Sequence, residues 1–256
     1  MEALEPVLPK PPWGPWATLG LAAVIMLASI LAQVAMVFLW ALVNQLVGRT
    51  PSPHEATSNG LLLSLTTCTS APVIVGLSWL FARTRAGRHA AAYLGFRPVP
   101  RKLLLGWSIP LLLFIALSDS LTAFLGRPVV PPFMVEAYET AGFKPLLWLA
   151  LIVAAPAGEE TLFRGFLFEG ISHSRLGAAG AIFLGSILWA SIHVQYDAYG
   201  IAIIFLCGLF LGYVRLKTQS IYPTIFLHGL MNLVALLEVM ILPKIAHSGA
   251  VAAVVR

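Results

Sequence analysis

Residues Ala155–Phe168 read APAGEETLFRGFLF, which sets two adjacent carboxylates, Glu159 and Glu160, and one arginine, Arg164, inside a run otherwise suited to lipid. On membrane-insertion scales each such charge costs roughly 2.5–3.5 kcal/mol at mid-bilayer, so three uncompensated ones nearly cancel the gain from inserting a helix. The stretch therefore requires compensating groups, either from its own helix or from neighbours that also lie within the membrane.

The surrounding chain supplies such neighbours. Of its 256 residues, 59% are hydrophobic and 11% charged, with a mean hydropathy of +0.87, whereas soluble domains carry about a quarter charged residues. Taking about 20 apolar residues per crossing, candidate spans lie at Thr18–Val47, Gly60–Ala82, Leu103–Leu125, Pro145–Phe168, Leu176–Val194, Tyr199–Leu216 and Ile221–Leu242. The pattern predicts an all-α, polytopic membrane bundle of about seven transmembrane helices with an intramembrane polar site. It reads as one membrane domain: an interfacial segment at 1–17, three helices and their loops at 18–144, a polar-bearing helical core at 145–242 and a tail at 243–256. The first apolar run is too long for a signal-peptide core and should stay in the protein. Before it, PKPPWGPW combines helix-blocking prolines with Trp13 and Trp16, residues suited to the headgroup zone.

A formal net charge of +5 might suggest nucleic acid, but the basic residues fall between apolar runs rather than in one patch, so they bear on topology instead. The connection Arg83–Lys102 holds Arg83, Arg85, Arg88, Arg97, Arg101 and Lys102, which assigns it to the cytoplasm by the positive-inside rule. Alternation then places the N-terminus inside and the C-terminus outside. The other inner connections carry Arg175, Arg215 and Lys217, and the outer ones Arg49, Arg127, Lys144, Lys244 and Arg256. Within the basic loop, AAYLGFRPVPRK mixes apolar and basic side chains and is expected to lie on the inner leaflet. The connection Gly126–Lys144 is expected to be an ordered external one. Cys68 and Cys207 show neither CxxC nor ligand-like spacing and read as packing residues. The Ala, Leu and Gly bias and compact length favour a bacterial inner membrane, with the eukaryotic reticulum as the alternative.

Residues four apart share a helix face, so Glu160 and Arg164 can pair. Glu159 projects about 100° away and has no cation of its own, as a proton acceptor within a low-dielectric site would. LWASIHV places His193 one turn after Trp189, and FLHGLMNLV places His228 and Asn232 at i and i+4. Such a set can activate water: Glu159 takes a proton, His193 orients the water or shares the proton, and His228 with Asn232 donates to a carbonyl oxygen as it gains charge. Two alternatives stay open, a purely structural polar network in a noncatalytic immunity or scaffolding protein, and a metal-dependent hydrolase using His193, His228 and Glu159. Proton-coupled transport would call for a repeat or paired broken helices, and neither is visible.

Other intramembrane protease designs fit less well. HEATSN at His54–Asn59 lacks the second histidine of HExxH and reads as loop. Ser186 in LGSIL lacks the flanks of a serine nucleophile, and Asp119 and Asp197 do not form a pair within spans.

EETLFR, WASIH and HGLMN, in that order, resemble the EExxxR, FxxxH and HxxxN/D motifs of the CAAX protease and bacteriocin-processing family of intramembrane glutamate endopeptidases. The resemblance covers about Pro145–Leu242. It implies Glu159 and His193 as the water-activating pair, His228 and Asn232 as the oxyanion hole, Glu160 and Arg164 as a supporting ion pair, and neither metal nor cofactor. The implied partners are a membrane-anchored or lipidated protein substrate and the bilayer itself, not nucleic acid. Trp189 departs from the family's usual Phe, adding bulk and an N–H. One puzzle is depth. At 1.5 Å per residue Glu159 and His193 lie roughly 20 and 26 Å from the connection near Arg175, but His228 only about 12 Å from the one before Ile221, unless a helix is kinked or starts late.

Overall fold

The computed structural model describes residues 12–247, with side chains described as far as Leu242. The helices are α1 (Pro15–Leu46), α2 (Pro53–Ser58), α3 (Gly60–Ala86), α4 (Ala90–Tyr93), α5 (Arg101–Phe124), α6 (Pro132–Thr140), α7 (Lys144–Ser172), α8 (Gly177–Ser191), α9 (Ala198–Thr218) and α10 (Tyr222–His247). No strand occurs among the described residues. The protein is an all-α, multi-pass membrane bundle. Six stretches are long and apolar enough to cross a bilayer: α1, α3 through α4, α5, α7, α9 and the Tyr222–Leu242 part of α10. The seventh expected span, α8, is a shorter apolar helix of 15 residues. Residues 1–11 of the expected interfacial segment and the tail after His247, with Arg256, lie outside the described residues. HEATSN proves helical rather than loop, since most of it forms α2, whose N-terminus is capped by Ser52 accepting from the Glu55 N–H.

Small residues let the helices approach closely. Between α10 and α7, a Cβ on Gly229 would stand 2.6 Å from the Ile152 carbonyl oxygen, so only glycine permits that contact. α1 packs on α3 and on the second half of α7, α8 on α9, and α10 on α5 and the first half of α7.

The central helix α7 is not uniform. It widens to π-helical geometry at Ala150–Ala154 and again at Thr161–Leu167, on either side of APAGEE. In the first stretch the Ala155 N–H reaches back five residues to the Ala150 carbonyl. Continued by one residue, that register would leave the Leu151 carbonyl facing position 156, which is Pro156 and has no N–H to give. Asn232 on α10 supplies the missing donor, its Nδ2 lying 2.7 Å from Leu151 O. In the second stretch the Phe168 N–H reaches back to Phe163 O, and the next carbonyl, that of Arg164, accepts from Arg215 Nε at 2.9 Å.

The basic loop does not lie flat on the membrane surface as expected. Tyr93 and Leu94 are 1% and 0% exposed, and a Cβ on Gly165 would stand 2.9 Å from Leu94 O, which seats the loop against α7. The α9–α10 turn is tied to it: the Ile221 N–H donates to Gly95 O and Ser220 Oγ to Arg97 O. Ser220 and Ile221, immediately before α10, are both fully buried, whereas Tyr222, its first residue, is 45% exposed. α8 ends at Ser191, and His193 lies in the turn after it, not on a helix as expected.

Candidate active site

Glu160 and Arg164 form the expected pair, Arg164 Nη1 donating to Glu160 Oε1 at 2.9 Å with both side chains almost wholly buried. The α7 backbone supplies the spacing and two other helices complete the pair. His228 Nδ1 on α10 lies 2.9 Å from the same carboxylate oxygen. Arg164 Nη2 donates to the Gly208 carbonyl of α9 at 3.2 Å, and the guanidinium sits 4.5 Å from the centre of the Trp189 ring. Two opposite charges that would be prohibitive singly thus become one bonded cluster with an imidazole.

Glu159 faces the other way. Its side chain is 20% exposed and forms part of the wall of a cavity of about 680 Å³, together with Trp189, His193, His228 and Asn232. The Trp189 indole N–H donates to Glu159 Oε2 at 2.6 Å, and His228 Nε2 lies 4.0 Å from that oxygen. Because the Glu160 carboxylate can only accept, His228 Nδ1 carries the hydrogen there, and Nε2 is the nitrogen turned towards Glu159. His193 is set in a similar way: its Nδ1 lies 2.8 Å from Trp189 O, a carbonyl that can only accept, so in the neutral ring Nε2 keeps its lone pair. The Trp189 ring meets both imidazoles edge-on, with centroids 5.1 Å from His193 and 5.2 Å from His228.

All six residues singled out from the sequence therefore assemble around one locus, with Asn232 placed differently from expectation. It lines the cavity, yet one amide hydrogen is committed to Leu151 O and only the other is available. Sequence reasoning missed the bond from Trp189 to Glu159. The available signal was the departure from Phe, since a buried indole N–H requires an acceptor and the apolar helices offer few. It also missed Glu238, whose carboxyl hydrogen-bonds that of Asp119 on the wall of the same cavity. Among the described residues no three His, Cys, Asp or Glu side chains converge as a metal site.

Residues 141–234 match an Rce1-like family model, that of type II CAAX prenyl endopeptidases. The resemblance first drawn from three short motifs thus holds across a continuous segment, and that family is one of proteases. The Rce1-like segment runs from the end of α6 into α10 and contains Glu159, Glu160, Arg164, His193, His228 and Asn232 as well as Trp189. α1, α3 and α5, which contribute much of the cavity wall, lie before it. No curated protein and no solved structure matches the chain.

Proposed function

We propose that the protein is an intramembrane endopeptidase that hydrolyses a peptide bond of a membrane-anchored or lipidated protein by a glutamate-activated water. The observation that carries this reading is the Glu159 carboxylate, held at a cavity wall by the Trp189 N–H, with His228 Nε2 4.0 Å away and His193 lining the same cavity. Glu159 takes one proton from a water whose oxygen attacks the scissile carbonyl carbon, while the His193 Nε2 lone pair accepts the other water hydrogen and orients it. The carbonyl oxygen gains charge as that bond forms. The second amide hydrogen of Asn232 can stabilise it, as can His228 Nε2 when that ring carries a hydrogen on both nitrogens. When the C–N bond breaks, the proton on Glu159 passes to the leaving nitrogen, which regenerates the carboxylate.

Glu160 and Arg164 act through His228 by holding its ring. A bacterial inner membrane agrees with the composition of the chain. The Glu159→Gln and His193→Ala proteins should be folded and inactive; processing of the native substrate by both at the normal rate would overturn the reading. Comparing membrane-protein termini between cells carrying the wild type and Glu159→Gln would name the substrate. The noncatalytic reading draws support from the Asn232–Leu151 bond, which ties helices together. Under it the same substitutions would chiefly lower thermal stability.

A further inference from the structure

The two ends of the cavity are built differently. At one end its wall includes Pro128 from the α5–α6 connection, Pro132 at the start of α6, and Gln195 and Asp197 from the α8–α9 turn, and these four residues are exposed. At the other end no residue of the Arg83–Lys102 loop, the α7–α8 turn or the α9–α10 turn reaches it. There the space is closed by Leu162, Phe166 and Leu94, none more than 1% exposed, and behind them by the bonds of Ile221 to Gly95 and of Ser220 to Arg97. The mouth is therefore at the α5–α6 end.

The charges of this chain say which face of the membrane that is. The closed end carries the six bases of the Arg83–Lys102 loop together with Arg175 and Lys217. The connections at the mouth end carry Arg49, Arg127 and Lys144, of which Arg49 pairs with Glu55 and Arg127 with Asp197. Lys and Arg in short connections mark the cytoplasmic side. We infer that the site opens to the membrane face opposite the cytoplasm, and that its substrate is a membrane-proximal segment of a protein already carried across the bilayer rather than a lipidated tail in the cytoplasm. The substrate half of this inference rests on the proposed hydrolytic reading; the orientation half does not.

The surroundings suit an anchored substrate. Met26 and Ser29 of α1 and Phe114 and Ile115 of α5 line the same cavity, while α1 packs chiefly on α3 and α5 chiefly on α10. The cavity is thus bounded on one side by α1 and α5, neither of which packs chiefly on the other.

Impermeant maleimide labelling of intact cells tests the orientation. In a Cys68→Ser, Cys207→Ser background, Gln195→Cys should label from outside, and Arg88→Cys, on the exposed part of the basic loop, only after permeabilisation. If Gln195→Cys fails to accumulate, Pro128→Cys reads the same mouth. The reverse pattern overturns the inference, and so does labelling of both positions from one face. Termini lost in the Glu159→Gln strain should map to segments outside the cytoplasm; cytoplasmic ones overturn the substrate assignment. Labelling requires no catalysis, so an inert enzyme would sink the protease reading and leave the orientation result standing.

Discussion

Two pairs of carboxyls line or adjoin the cavity, and they meet the same problem in opposite ways. Glu159 and Glu160 are neighbours on α7 but point apart, each towards nitrogen: Glu160 to a guanidinium and an imidazole, Glu159 to an indole N–H. Asp119 and Glu238 come from different helices, α5 and α10, and point at each other. A hydrogen bond between two carboxyls requires that one of them be protonated, so the second pair shares a proton where the first gathers donors. Donors hold an ionised group in one orientation, whereas a shared proton removes charge. The first arrangement suits a base, and the second leaves a single negative charge spread over two carboxyls on an apolar wall.

This contrast is open to direct test. The largest difference should appear on amide substitution within each pair: Glu159→Gln lowers the cleavage rate by about 10²–10⁴-fold, whereas Glu238→Gln, which keeps a hydrogen bond to Asp119, changes it by less than about fivefold. Comparable losses for both would mean that the two pairs act together. Next comes Arg164→Ala. Removing one partner of a buried ion pair costs about 3–5 kcal/mol, so its melting temperature in detergent should fall well below that of Glu159→Gln.

Trp189→Phe keeps the ring against Arg164 and removes only the donor to Glu159. A hydrogen bond to a charged group contributes about 1.5–3 kcal/mol, so kcat should drop roughly 10- to 100-fold with KM and melting temperature nearly unchanged. An unaltered kcat would show that the indole fills space and does not orient the base. The smallest expected effect is on stability in Asn232→Leu, where the unpaired Leu151 carbonyl costs about 1–3 kcal/mol, detectable as a lower melting temperature in a variant that is also inactive.

What could be read from the sequence follows the range of each interaction. Span positions come from local apolarity, so α1, α3, α5, α7, α9 and α10 lie within a few residues of expectation at the boundaries that matter for the site. The Glu160–Arg164 pair follows from four-residue spacing inside one helix. Contacts between helices were not legible in the same way. Trp189 to Glu159, Asn232 to Leu151 and Asp119 to Glu238 depend on how helices rotate against one another, and each π-helical turn in α7 adds a residue and shifts the faces that follow. His193 lies on the cavity wall but in a turn and not on a helix as expected, because VQYD after it gives only a weak stop signal. The burial of AAYLGF was also hidden: a stretch of mixed apolar and basic residues reads alike on a membrane surface and under a bundle.

Pro156 and Asn232 stand 76 positions apart in the chain, yet the register of α7 makes the worth of one depend on the other. An alanine at 156 would return an N–H to the first π-helical stretch and relieve Asn232 of its duty to Leu151, releasing the amide for whatever enters the cavity. Substitutions at these two sites should therefore be epistatic for folding, with Asn232→Leu harmful beside proline and mild beside alanine. The fixed geometry of one imino acid thereby constrains which side chains a distant helix can accept.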